Sequence, residues 1–237
     1  MTQDWLFDFG NTRLKCAPLG ADGVPGEVRA FAPSEFDALP SGAVAHVASV
    51  ASEDARVQLL DALSRRFRRI SIARTSPMLD GLGIAYANPK KLGVDRFLAM
   101  VGARDAWPAL IVGVGTGLTI DLVDADGLHR GGRIAPSPTL MREMLHARAT
   151  QLAPTGGNYA EFANDTEDAL VSGCEGAAIA LIERSLAEAT RLLGSAPRVL
   201  LHGGGADPLH AHLAAATLRP SLVLEGLAHW ASLERAA

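Results

Sequence analysis

The sequence predicts an α/β protein of two related lobes, each a mixed sheet flanked by helices. Short apolar, strand-like runs alternate with helical periods along the 237 residues, a pattern of α/β layers rather than of a bundle. Two turns rich in glycine and threonine also stand at equivalent places in the two halves: Asp8-Phe9-Gly10-Asn11-Thr12 and Gly113-Val114-Gly115-Thr116-Gly117-Leu118-Thr119. Each joins one apolar run to the next, residues 5–7 to 13–17 and residues 109–112 to 119–123. Glycine lets backbone come close to a ligand, and successive N–H groups with a threonine hydroxyl can cradle phosphate oxygens. The device used twice points to a nucleotide gripped between two lobes, as in a phosphotransferase or an ATPase.

In chain order, residues 4–17 are expected to form a hairpin around the first turn, and Gly20 to Gly26 reverse the chain. Residues 44–50 form a strand. Val57, Leu60, Leu63 and Phe67 share a helical face over 56–67, and 70–72 return as a strand. A polar loop from Tyr86 to Arg96 runs into an alanine-rich helix over 97–106, which Pro108 ends. The lobe boundary falls here, giving lobes 1–107 and 108–237.

The second lobe opens with strands at 109–114 and 118–124. Asp126-Gly127 turns the chain into a third strand at 128–134. A helix over 138–152 places Leu140, Met144, Leu145, Ala149 and Leu152 on one stripe. The helix over 165–193 is apolar on most faces, which suits a central or interface position. A strand at 199–201 leads into Gly203, Gly204 and Gly205, and the chain ends with a strand at 222–224 and a helix over 226–233.

Composition narrows the function. Nearly half the residues are hydrophobic, so the chain folds without metal or disulfide support, and a net charge of −4 argues against nucleic acid as a partner. Cys16 and Cys174 lack metal or redox spacing and read as reduced thiols of a cytoplasmic protein. No secretion signal or run of about 18 apolar residues is present, so no membrane association is expected. His210 and His212 have no third ligand at a useful spacing, and Arg65, Arg68 and Arg69 fit a solvated helix face.

The first turn combines an acid, a flexible glycine, two small polar side chains and a lysine. Read for ATP, Asp8 holds Mg²⁺ directly or through water, Gly10, Asn11 and Thr12 face the phosphates, and Lys15 offsets their charge. Read structurally, it is a tight hairpin whose Asn and Thr satisfy their own backbone. The run Gly203 to Gly205 can let an adenine or ribose pass close to backbone, or it simply ends a strand. In Gly93-Val94-Asp95-Arg96, Asp95 offers a carboxylate to accept a hydroxyl proton and Arg96 a planar cation for an anion. The same aspartate would also serve as an ordinary helix cap.

Six motifs in order carry a family resemblance: D-F-G-N-T-R-L-K from Asp8, Y-A-N-P from Tyr86, G-V-D-R from Gly93, G-T-G-L-T-I-D from Gly115, H-R-G-G-R-I-A-P-S from His129 and N-D-T-E-D-A-L-V-S-G from Asn164. In these the chain resembles the type III pantothenate kinases of the acetate and sugar kinase, actin and chaperone ATPase superfamily. The resemblance implies ribonuclease H-like lobes with a nucleotide cleft between them, and phosphorylation of pantothenate by ATP with Mg²⁺. Asp8, Phe9, Gly10, Asn11, Thr12, Arg13, Leu14 and Lys15 match the first ATP motif, and Thr116 the threonine of the second. Asp95 matches the proton acceptor. Tyr86, Gly93, Val94, Arg96 and Thr166 match the remaining pantothenate contacts.

The resemblance also implies a homodimer with apolar helices of the second lobe at or near the interface. It implies one departure. Many relatives hold K⁺ or NH₄⁺ partly through an aspartate where this chain has Gly113, so a monovalent ion is not expected to be held in that way here. Two other readings stay open: a kinase for another small hydroxylated substrate, and a non-catalytic regulatory or accessory protein on the same fold.

Overall fold

The computed structural model describes residues 3–236. The chain divides into two compact units. One runs to Asp105 and takes in the chain again from Ser221, and the other is Ala106–Pro220.

The first unit is built on β1 (Trp5–Phe9), β2 (Leu14–Pro18), β3 (Arg29–Phe31), β4 (Gly42–Ser49) and β5 (Phe67–Ile72), in the sheet order β3-β2-β1-β4-β5. The pairs β1–β2 and β2–β3 are antiparallel, whereas β1–β4 and β4–β5 are parallel. Along β1 the alternation of side chains puts Phe7 and Phe9 on one face, where they meet Phe67 and Phe36 edge-on at ring-centre distances of 5.5 and 5.6 Å. Leu14, Cys16, Val47, Leu59 and Leu63 complete that core.

The parallel step from β4 to β5 needs a crossover, which α1 (Glu53–Ser64) supplies. Ser52 caps it by accepting from the Ala55 N–H at 3.4 Å, with Glu53 and Asp54 in the first turn. The helix therefore starts earlier than the expected 56–67 and ends before Phe67, which opens β5. Leu59 and Leu63 face the core, while Val57 is exposed. A small hairpin follows, β6 (Met78–Leu79) and β7 (Leu82–Gly83), turned by Asp80 and Gly81 at φ values of 45° and 86°. The first unit's last helix before the boundary, α2 (Val94–Gly102), begins three residues earlier than expected.

The second unit repeats the plan. Strands β8 (Ala109–Val114), β9 (Gly117–Val123) and β10 (His129–Pro136) are antiparallel neighbours, and α3 (Pro138–Arg148) and α4 (Thr166–Leu193) follow. Next come β11 (Arg198–His202), α5 (Ala206–His210) and β12 (Ala216–Leu218), and both strands are parallel additions. The order β10-β9-β8-β11-β12 is that of the first sheet. The two units thus share one topology: three antiparallel strands, then two parallel ones.

Helix α4 is capped at both ends, by Asp165 accepting from the Asp168 N–H at 3.0 Å and by Gly194 in the left-handed region at φ 77°. It buries Ala178, Ile179, Ile182 and Ala189 against Leu110, Val112, Ile120 and Leu122 of the sheet. Ser137 caps α3 by accepting from the Leu140 N–H at 3.3 Å, and Pro138 stands in its first turn. The helix ends at Arg148, short of the expected 152. None of its residues is fully buried, so its apolar stripe faces outward at Met144 and Leu145.

The end of the chain corrects two expectations. Residues 222–224 are not a strand; they open the helix α6 (Leu222–Ala236), and the last strand is β12. This helix belongs with the first unit, so the second unit is not 108–237. The cause is a close crossing with α2. A side-chain carbon at Gly226 would strike the Leu98 carbonyl, and one at Gly102 the Leu222 carbonyl. Polar ties hold the same helix down: Ser71 donates to Glu234 at 2.5 Å, His229 pairs with Asp80 at 2.5 Å, and Arg235 pairs with Asp4.

Candidate functional site

In the first unit the chemistry gathers where β1 ends and α2 begins. Asp8 lies on β1 between the two buried phenylalanines, so its side chain leaves the sheet on the face opposite theirs. The antiparallel register sets Lys15 directly across from it. The turn between them is closed by the Gly10 N–H donating to the Arg13 carbonyl at 3.2 Å, and Asn11, Thr12 and Arg13 are exposed. Phe9 and Leu14 are fully buried in the core, so their side chains fix the turn rather than face a ligand.

Burial pushes the Asp8 carboxyl up to about 7, and the nearby Asp95 charge pushes the same way, against Lys15. Two carboxylates facing one ammonium leave an excess of negative charge on a half-buried surface. A hard divalent cation fits that donor set.

Asp95 stands in the first turn of α2, where the helix end favours negative charge. A side-chain carbon at Gly93 would lie 2.5 Å from Asp95 Oδ1, so the carboxylate folds back over the helix start into space that only glycine leaves open. The sequence offered Asp95 as a possible cap. The cap position is Gly93, with no side-chain bond, so the aspartate is not the helix cap. Arg96 is buried at 6% exposure; its Nη1 donates to Tyr86 Oη at 3.2 Å and its guanidinium lies 5.9 Å from that ring's centre. Asp8, Lys15, Tyr86, Gly93, Val94, Asp95 and Arg96 therefore all belong to the first unit. Thr166 does not; it is the first residue of α4 in the second unit and is exposed.

In the second unit the turn between β8 and β9 leaves Gly115 and Thr116 exposed. The Ser137 N–H donates to the Thr116 carbonyl at 3.4 Å, which brings the start of α3 to this turn. The Gly205 N–H donates to the Val114 carbonyl at 3.0 Å, and Gly203, at φ 96°, packs on the Val114 backbone. The third glycine run is thus tied to the second turn. A cavity of about 60 Å³ opens there between Gly115, Ser137, Thr139, Glu175 and Gly205. Thr139 and Glu175 lie in none of the six motifs and Ser137 only at the end of one, because their place beside the turn depends on which helix end the fold brings there.

Position 113 has no room for a side chain. One added there would meet Thr119 Oγ1 at 2.7 Å and His202 Nε2 at 2.9 Å. Neither Asp121 nor Asp124 replaces a carboxylate at that end of the strands. Asp121 is buried against His129 Nε2 at 3.0 Å. Asp124 accepts from the Asp126 and Leu128 N–H groups and pairs with Arg130 at 2.6 Å.

The family model for type III pantothenate kinase matches residues 5–188. The chain belongs to the type III pantothenate kinase family. A type III pantothenate kinase of Xanthomonas campestris pv. campestris (strain B100) is 57% identical over 237 residues, covering 97% of each chain. One of Stenotrophomonas maltophilia (strain K279a) is 58% identical over 236 residues, covering 96% of this chain and 97% of the relative. Among solved structures, a conserved Campylobacter jejuni protein named for a Baf family transcriptional activator superposes with a TM-score of 0.70. It is 19% identical and covers 98% of this chain and 100% of its own, a likeness of fold. Each of the two units carries a mixed five-stranded sheet flanked by helices, as expected, and no described helix is long and apolar enough to cross a membrane.

Proposed function

We propose that this member of the family transfers the γ-phosphoryl group of ATP to the primary hydroxyl of pantothenate. The product is 4'-phosphopantothenate, and the step opens coenzyme A biosynthesis. The observation that carries the reading is the carboxylate pair Asp8 and Asp95 with Lys15 across the hairpin. Desolvating an acid next to another acid costs stability, and such an arrangement is retained where charge is to be received. The same cost speaks against a purely accessory role.

Phosphoryl transfer has a loose transition state, so positioning and charge neutralisation carry most of the catalysis. Asp95, held at the open start of α2, aligns the hydroxyl and takes its proton as the new P–O bond forms and ADP departs. Arg96 and Tyr86, braced against each other, serve the anionic substrate together with Gly93, Val94 and Thr166. The first-unit turn from Asp8 to Lys15 and Thr116 of the second unit serve the phosphates. Mg²⁺ held at Asp8, directly or through water, would supply charge neutralisation on the phosphate oxygens. Lys15 adds a fixed positive charge beside it.

No monovalent ion belongs to Gly113, since the position lacks a carboxylate and its side-chain space is filled. A homodimer forms through the α3–α4 face of the second unit. There Leu140, Met144, Leu145, Leu170 and Cys174 line an apolar groove of about 530 Å³. The cytoplasm, where both substrates are at hand and Cys16 and Cys174 remain free thiols, is the setting of the reaction.

Replacing Asp95 by Asn tests the reading. Turnover should fall by about 10²–10⁴-fold, as for loss of a general base, with ATP still bound. Wild-type turnover in the variant would remove Asp95 from the mechanism.

A further inference from the structure

The cavity of about 60 Å³ beside the second turn belongs wholly to the second unit. Backbone ties three of its walls together. Gly115 is part of the turn itself, the Gly205 N–H donates to the Val114 carbonyl at 3.0 Å, and the Ser137 N–H donates to the Thr116 carbonyl at 3.4 Å. The fourth wall is Glu175 of α4, which follows the buried Cys174. Among the described residues it is the only ionisable side chain lining the cavity.

Glu175 is half-buried, and among the described residues no hydrogen bond or ion pair engages its carboxylate. Taking a carboxylate out of water without a partner costs free energy, so the position calls for a donor from outside the chain. Two hydroxyls line the same cavity. Ser137 is buried at 1% exposure and its Oγ accepts from the Leu140 N–H, which leaves its O–H to donate; Thr139 is exposed. The set is one anionic acceptor with two neutral hydroxyls. It repels a phosphate. A neutral group with adjacent hydroxyls satisfies it, donating to Glu175 and accepting from Ser137 or Thr139. Place decides which such group. The cavity lies between the turn read as holding phosphates and the glycine run read as passing the nucleoside, and ribose is the part of a nucleotide that joins the two.

We propose that Glu175 recognises the ribose of the nucleotide, accepting a hydrogen bond from its 2',3'-diol, with Ser137 and Thr139 as neutral partners of the same diol. The negative charge keeps the phosphates out of the cavity, at the exposed residues 115 and 116. The kinase therefore selects ribonucleoside over deoxyribonucleoside triphosphates. The inference rests on the reading of 113–119 and 203–205 as nucleotide turns.

The test measures KM of the full chain for ATP, 2'-deoxy-ATP, 3'-deoxy-ATP and pantothenate, with calorimetry of a non-hydrolysable ATP analogue to follow binding alone. A hydrogen bond to a charged group corresponds to about a ten- to hundredfold change. In wild type, KM for at least one deoxynucleotide should exceed that for ATP by about this factor. Glu175→Ala should raise KM for ATP to the level of that deoxynucleotide and abolish the discrimination, with KM for pantothenate unchanged. Glu175→Gln keeps the side chain's volume and one acceptor oxygen, so it should fold as wild type and retain only part of the discrimination.

Equal KM for ATP and both deoxynucleotides in wild type overturns the inference and leaves the kinase reading standing. Full discrimination in both Glu175 variants, or a loss that is equal for all three nucleotides or shared by pantothenate, assigns Glu175 to packing and also overturns it. Failure of the wild type to bind the analogue overturns the nucleotide reading itself.

Discussion

Replacing Asp8 by Asn should make the free protein more stable above neutral pH while removing its use of Mg·ATP. The carboxyl is raised from 3.8 to about 7, by burial first and by Asp95 second. A group raised in this way stays protonated in the folded chain while the unfolded chain has already ionised. Its stabilising contribution is therefore present below pH 3.8 and lost as pH rises through about 7. The full rise corresponds to roughly 4 kcal/mol, and water reaching a half-buried side chain reduces this to on the order of 2–3 kcal/mol. Asparagine has nothing to ionise. At pH 8 the variant should melt about 5–10 °C above wild type, taking about 2–4 °C per kcal/mol for a chain of this size. At pH 4 the two should coincide. Thermal melts without nucleotide or metal across pH 4–8.5 give the comparison. Activity measured in parallel should show loss of Mg·ATP use with little change in KM for pantothenate. A variant less stable than wild type at pH 8, or melting curves parallel at every pH, would refute the assignment of Asp8 as a desolvated acid awaiting a cation.

Gly93→Ala should lower turnover by at least tenfold with little loss of folded stability, because the added carbon displaces Asp95 Oδ1; kinetics beside a melting curve separate the two effects. At constant ionic strength, turnover in sodium buffer should match that in potassium or ammonium buffer, and a steep rise with K⁺ would show that other ligands hold an ion. Met144→Lys should shift the chain from dimer to monomer in analytical ultracentrifugation by placing a charge on the α3–α4 groove; an unchanged dimer places the interface elsewhere.

Most of the sheets were legible because their strands are apolar runs bounded by glycine turns, and the two turns rich in glycine and threonine marked the repeat. The missing strands, β3, β6, β7 and β12, are only two or three residues long, and β3 and β12 lack buried residues. Leu222-Val223-Leu224 looked like a strand because a short apolar run has no period to distinguish it from a buried helical turn. Its true setting depends on Gly226 meeting Leu98 and Gly102 meeting Leu222, contacts far apart in the chain. The stripe on α3 was visible as apolar, but periodicity does not say what covers a face. At the site, Asp8 and Asp95 were identifiable by residue type and motif. Their mutual effect, the brace of Arg96 on Tyr86, and the filling of Gly113 by His202 needed the fold.

The most direct measurement is mass spectrometry of the wild-type protein's reaction with Mg·ATP and pantothenate. The expected result is 4'-phosphopantothenate and ADP in equal amounts, formed only when the protein is present. ADP formed without phosphorylated pantothenate, or preferred phosphorylation of another hydroxylated substrate offered alongside it, would contradict it.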